Sequence, residues 1–96
     1  MPLDTIARFH AQSGQEDVVA AAMREQLPLA RGEPGCLGCE FFRSTRDPGL
    51  FYVHSRWADE AAFELHAGLP HTVRFLAQVE PALDHELQVS RLRPVA

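Results

Sequence analysis

Arg31-Gly32-Glu33-Pro34-Gly35-Cys36-Leu37, then Asp47-Pro48-Gly49-Leu50-Phe51, then Trp57-Ala58-Asp59-Glu60-Ala61, with His66 and His71 beyond, is the stretch that decides the architecture of this 96-residue chain. Gly32-Glu33-Pro34-Gly35 breaks the chain between a helical pattern and a strand-like one. In Asp47-Pro48-Gly49 the proline presets φ and the glycine supplies freedom, which makes a turn. The segments on either side, Cys36–Arg43 and Leu50–Trp57, therefore read as the second and third strands, paired as an antiparallel hairpin. Asp59 follows the third strand and caps a helix.

Working outward, Leu3–His10 alternates. Leu3, Thr5, Ala7 and Phe9 fall on one face, and Asp4, Ile6, Arg8 and His10 on the other, which predicts the first strand. Ser13 followed by Glu16 is a capping-box pattern and predicts a helix start there. Val18, Val19, Ala22, Met23, Gln26 and Leu27 continue that helix. Pro28 lacks an N–H for the carbonyl of Arg24, so a kink or an early end is expected, with a last turn through Ala30. In the second helix Ala62, Phe63, His66 and Ala67 share a face. Gly68-Leu69-Pro70 interrupts it, and Pro70 suits the first position of a restarted segment. Val73, Leu76, Ala77 and Glu80 recur there at helical spacing, until Pro81 ends it. Asp84–Leu92 alternates again as the fourth strand. The order is β-α-β-β-α-β: an α+β, ferredoxin-like fold with a four-stranded antiparallel sheet and helices on one face. In the third strand Phe51, Val53, Ser55 and Trp57 are expected under the helices. Leu50, Tyr52, His54 and Arg56 form the opposite, amphipathic face, which suits a subunit interface.

The length predicts a single domain over residues 1–96. With 46% hydrophobic residues it can bury a modest core. A net charge of −4 argues against nucleic acid or an anionic membrane as partner. The N-terminus lacks the basic and apolar segments of a signal peptide, and Val18–Met23 is too short an apolar run to span a bilayer, so the expected location is the cytoplasm. Cys36 and Cys39 form a C-x-x-C in a strand-like run. An offset of three on a regular strand sends the two thiols to opposite faces, so packing is expected of them rather than redox or metal chemistry. His66 and His71 lie five apart with a proline between them and do not make an i, i+4 metal pair; no metal is expected.

The order and spacing of these motifs resemble the antibiotic biosynthesis monooxygenase family, which includes quinol monooxygenases. The Glu-Pro-Gly-Cys turn and the Trp…His spacing are the most specific parts of the likeness. The resemblance implies a dimeric α+β barrel, made by two sheets packed face to face, and a small-molecule cavity between the sheet and helices of each protomer. It places Trp57 and His66 in or beside that cavity and His71 near its mouth. One departure matters: many members carry a Glu two residues before the strand-three Trp, and here that position is Ser55. A serine cannot act as a carboxylate base, though it can still make one hydrogen bond. A branch of the superfamily degrades heme, but its strand-one Asn, helix Trp and heme-ligand positions fall on Ala7, His66 and Leu76, which do not supply that chemistry.

The functional reading that follows is a cofactor-independent monooxygenase acting on a quinol or an aromatic polyketide-like molecule, with the substrate itself passing electrons to O2. His66 is the candidate catalytic base, because an imidazole titrates near neutrality, at about 6.5 when unperturbed. Trp57 offers a face for stacking on an aromatic ring. Phe63, His71, Ser55 and Val53 complete the expected substrate-binding set. The chain has no Gly-rich nucleotide loop, Cys–His nucleophile pair or flavin fingerprint, and no cofactor is expected. Two other readings stay open on the same scaffold: a proton-transfer isomerase and a non-catalytic, ligand-binding or stress-associated dimer.

Overall fold

The computed structural model describes all 96 residues. Four strands, β1 (Leu3–His10), β2 (Cys36–Arg43), β3 (Leu50–Trp57) and β4 (Gln88–Leu92), form one sheet in the order β2-β3-β1-β4. Every pairing is antiparallel. Three helices, α1 (Glu16–Arg31), α2 (Glu60–Gly68) and α3 (Pro70–Val79), complete the ferredoxin-like α+β arrangement. A 3-10 turn over Glu80–Ala82 follows α3. No helix is long and apolar enough to cross a membrane.

Alternation in β1 and β3 sorts the core. Phe9, Phe51, Val19, Met23, Phe75 and Val79 belong to one buried cluster between sheet and helices. The opposite sheet face has no helix. There Ile6, Tyr52 and Phe42 lie beside His54 and Arg56, in paired register across β1, β3 and β2, and Phe42 is 49% exposed.

Several local expectations give way to other physics. Helix α1 starts at Glu16 rather than Ser13. The Glu16 side chain still reaches back, but it accepts from the N–H of Gly14 at 2.8 Å. Gly14 sits at φ 89°, a conformation that favours glycine, and this turn replaces the serine cap. Pro28 neither ends α1 nor stops it at Ala30; the helix runs on to Arg31. In its last turn a missing N–H costs one bond to the Arg24 carbonyl and no more. The buried stripe of α1 includes Val19, Ala22, Met23, Gln26 and Ala30, whereas Val18 is 47% exposed. Helix α3 buries Thr72, Phe75 and Val79, and Val73 is exposed. The periodicity is as expected, but the stripe is turned by about one position. The fourth strand is shorter than predicted: residues 84–87 are outside it, and Leu83 instead forms an isolated bridge with Ala11.

The cysteines are also corrected. A bulge between Cys36 and Gly38 inserts Leu37 into β2. Cys36 pairs with Trp57 and Cys39 with Ser55, two positions on one face of β3. The extra residue cancels the odd spacing, so both thiols face the helix side.

Candidate active site

The site is assembled where the turn 32–35 meets the end of β3 and the break between α2 and α3. At the end of α1 the N–H groups of Gly32 and Glu33 bond to the carbonyls of Pro28 and Ala30. The Arg31 guanidinium donates to the Cys39 carbonyl at 2.9 Å, which ties α1 to β2. The Ala58 N–H donates to the Gly35 carbonyl at 2.9 Å and fixes the turn against the end of β3. Gly35 then lets α2 come close. A Cβ built on it would lie 2.5 Å from the Ala62 Cβ, closer than two carbons can approach. Asp59 caps α2 by accepting from the Ala62 N–H at 2.8 Å.

Leu69 ends α2 in an extended conformation because it precedes a proline, and Pro70 restarts the chain as α3. His66 and His71 therefore lie on two different helices, and both turn toward Glu33. The same carboxylate oxygen, Glu33 Oε2, accepts from His66 Nδ1 at 2.7 Å and from His71 Nε2 at 2.8 Å. The carboxylate side chain is only 8% exposed. Thr72 Oγ1 lies 3.4 Å from His66 Nδ1. With Nδ1 donating to Glu33, a neutral His66 carries its lone pair on Nε2.

Trp57 is fully buried, and its indole ring lies 4.5 Å from the His66 imidazole, centre to centre. Phe63 lies 6.0 Å from each of them. These three, together with Val53 and Ser55, line a cavity of about 150 Å³ between the sheet and the helices. Phe41, Phe75 and Leu76 make its walls largely apolar. Its polar points are few. Ser55 Oγ lies 3.1 Å from Thr5 Oγ1, and both residues are buried. Burial pushes the Cys39 thiol up to about 12, so it stays protonated. Trp57 Nε1 is buried without an acceptor in the protein.

Five of the six site residues expected from sequence, Trp57, Phe63, His66, Ser55 and Val53, thus meet at one cavity. His71 does not line it. It borders a separate small cleft beside Ala22, Gln26 and Phe75, and it reaches the site only through Glu33. Glu33 itself lay in the motif but was given no role from sequence. Its signal was an acidic residue held in a turn by Pro and Gly, with two histidines downstream. A separation of five excludes an i, i+4 metal pair on one helix, but the break at Leu69 puts His66 and His71 on two helices that converge on one carboxylate.

A second cluster lies at the other end of the sheet. His10 Nδ1 bonds Asp84 at 2.6 Å and Nε2 bonds Asp47 at 2.8 Å. His85 also bonds Asp84, and it lies 3.2 Å from Arg8. His54 pairs with Asp4 at 3.1 Å. Each of these three histidines thus has an acidic partner. Hydrogen bonds to Asp47 and then Asp84 raise the His10 pKa, because both ring nitrogens can donate only in the imidazolium form.

The fold is thus α+β, with an apolar, histidine-edged cavity between the sheet and the helices, an enclosure of the kind in which small molecules bind. Residues 3–78 match the family model for antibiotic biosynthesis monooxygenases, and the chain belongs to that family. It is 28% identical over 94 residues to Rv0793 of Mycobacterium tuberculosis, whose name carries a provisional monooxygenase assignment; the match covers 98% of this chain and 92% of that protein. The structure of Rv0793 superposes with a TM-score of 0.93 at 26% identity, covering 100% of this chain and 97% of the other. A crystal structure of an antibiotic biosynthesis monooxygenase gives a TM-score of 0.93 at 28% identity, covering 98% and 99%. PA3566 of Pseudomonas aeruginosa gives 0.90 at 30% identity, covering 99% and 95%.

Proposed function

We propose that this chain is a cofactor-independent monooxygenase that oxidises a quinol-type aromatic, with His66 as general base. One observation carries the reading: the His66 ring lies 4.5 Å from Trp57 at the wall of an apolar cavity, with its Nδ1 bonded to the buried Glu33 carboxylate. Glu33 fixes the tautomer and stabilises the imidazolium that forms when Nε2 takes a proton. Glu33 thus stands in for the carboxylate that Ser55 lacks, from another part of the fold. Trp57 stacks on the substrate ring, and its unpaired Nε1–H donates to a substrate oxygen.

The reaction balances without a further reductant. A deprotonated quinol is electron-rich enough to pass one electron to triplet oxygen. The radical pair, confined in a dry pocket, then forms a C–O bond. Loss of water leaves a hydroxyquinone: quinol plus O2 gives hydroxyquinone plus H2O. One oxygen atom enters the product, and the substrate supplies all four electrons. A dry apolar cavity of about 150 Å³ holds a benzene-sized ring, and the one here has that volume. A single ring fits within it, while a polycyclic polyketide would extend through the mouth.

We also assign the uncovered sheet face, with Phe42, Tyr52, His54 and Arg56, to contact with a second copy. One helix layer leaves that face of the sheet without a cover. Light scattering at micromolar concentration tests this, and a mass near 10.7 kDa would exclude it.

Oxygen uptake with a monocyclic quinol and with a menadiol-like one, without added metal or flavin, tests the activity. Uptake above autoxidation, lowered at least about tenfold by His66→Ala at neutral pH, is expected. Turnover without oxygen would instead indicate proton-transfer chemistry. Saturable binding with no turnover would indicate a ligand-binding protein.

A further inference from the structure

Glu33, His66 and His71 present one carboxylate oxygen and two imidazole nitrogens, all within 4.8 Å of one another. Each comes from a different element: the turn, α2 and α3. We propose that they form a binding site for a divalent transition-metal ion of the zinc type, and that occupying it turns His66 from a proton acceptor into a proton donor toward the cavity. The site itself stands on geometry alone. The effect on His66 rests on its proposed role as base.

Two imidazoles with one carboxylate suit zinc, iron, nickel or copper. Magnesium and calcium want oxygen ligands. The distances are nearly right. Glu33 Oε2 is 2.7 Å from His66 Nδ1 and 2.8 Å from His71 Nε2. Ligands bound at about 2.1 Å sit about 3.0 Å apart on one face of an octahedron and about 3.4 Å apart at a tetrahedral centre. These two contacts therefore open by a few tenths of an ångström, while the two imidazole nitrogens, within 4.8 Å of each other, settle at the same separation of about 3.0–3.4 Å by rotation of the side chains. The imidazoles are 16% and 20% exposed, so an ion can enter while most of its protein shell is already desolvated.

The consequence for chemistry is specific. Without an ion, Nδ1–H of His66 donates to Glu33, and Nε2 holds the lone pair. A metal needs the Nδ1 lone pair, so the ring proton must move to Nε2. His66 then presents N–H where it previously presented a lone pair, and it can no longer take a proton from a hydroxyl. Glu33 is engaged by the ion at the same time.

The test begins with the metal-free protein. It is titrated with Zn²⁺ by calorimetry and with Co²⁺ by visible absorption, which reports nitrogen coordination directly. One ion per chain is expected. Binding is expected to weaken at least about tenfold in Glu33→Gln and in His71→Ala, and to persist in the His10→Ala/His85→Ala double variant, which dismantles the other histidine cluster. Because a site variant can misfold, the unaltered protein is also followed by long-range ¹H–¹⁵N spectra of its histidine rings. On adding Zn²⁺ the His66 proton is expected to shift from Nδ1 to Nε2. Three results would each overturn the site: no binding at submillimolar metal, affinity unchanged in both site variants, or His66 and His71 rings unmoved at saturation. Zinc bound as expected with oxygen uptake undiminished would overturn the switch, and with it the role of His66 as base, while leaving the ion site standing.

Discussion

Glu33→Gln removes one negative charge at the point where two imidazoles converge and leaves side-chain volume almost unchanged. The carboxylate accepts from His66 at 2.7 Å while only 8% exposed. A hydrogen bond to a charged group in such a setting contributes roughly 1.5–3 kcal/mol. That support is needed most when His66 becomes an imidazolium, so the loss falls chiefly on the transition state. At about 1.36 kcal/mol per factor of ten, kcat for quinol oxidation is expected to fall roughly 10- to 150-fold. KM should move little, since Glu33 does not line the cavity. The glutamine also offers an N–H₂ group that can favour the other tautomer of His66, which adds to the loss. The assay is oxygen consumption at pH 7 against quinol concentration, with folding checked by circular dichroism. Glu33→Asp, which keeps the charge with a shorter reach, is expected to recover part of the rate. A folded Glu33→Gln protein with wild-type kcat would refute the reasoning. The carboxylate would then be holding the turn and nothing more.

Three further outcomes are expected. Gly35→Ala forces a methyl to within 2.5 Å of the Ala62 Cβ and should cost about 1–3 kcal/mol in a urea melt, with much of it restored in Gly35→Ala/Ala62→Gly. His10 has a raised pKa and contributes stability that is fully present below its unfolded value of 6.5 and is lost as pH rises through its folded value; Asp47 is lowered, chiefly by its bond to His10, and its contribution is lost as pH falls below 3.8. The difference in melting temperature between wild type and His10→Ala should therefore be largest between those two values and shrink on either side. Both thiols are raised by burial, Cys39 to about 12, so alkylation at pH 8 should be slow at both and reach Cys39 only on unfolding; mass spectrometry of the labelled peptides would show rapid Cys39 labelling if the cavity wall were looser than described.

Much of the fold could be read from local patterns. Alternation placed β1, β2 and β3 at their observed bounds, and the Asp59 cap and the Leu69–Pro70 break were visible as residue chemistry. Burial was harder, because a stripe on a helix can rotate by one position without changing its period. Val18 and Val73 look apolar and point outward, while Gln26 and Thr72 look polar and point in. The bulge at Leu37 had no signal in a run of strand formers, and it reversed the reading of the two cysteines. At the candidate site, the motif spacing sufficed to bring Trp57 and His66 to one cavity. It did not single out Glu33, because the two bonds to its carboxylate arise only when a turn and two helices from distant parts of the sequence converge.

Helix α2 contributes no fully buried residue, yet it carries His66 and Phe63 against Trp57. It is held to the rest of the chain by the packing of Phe63 and His66 on Trp57, the notch at Gly35, the single bond from His66 to Glu33 and the exposed ion pairs of Arg91 with Glu60 and Glu64. Segments held by so few buried contacts open first, far more often than the whole protein unfolds. If a substrate enters the cavity by displacing α2, the proposed base moves with the opening: admission withdraws His66 and closure returns it to the ring, so entry and proton transfer alternate in time. On that reading a mutation that fastens α2 more firmly is expected to raise the melting temperature and slow the proposed turnover together, with amide exchange in residues 60–68 falling in step.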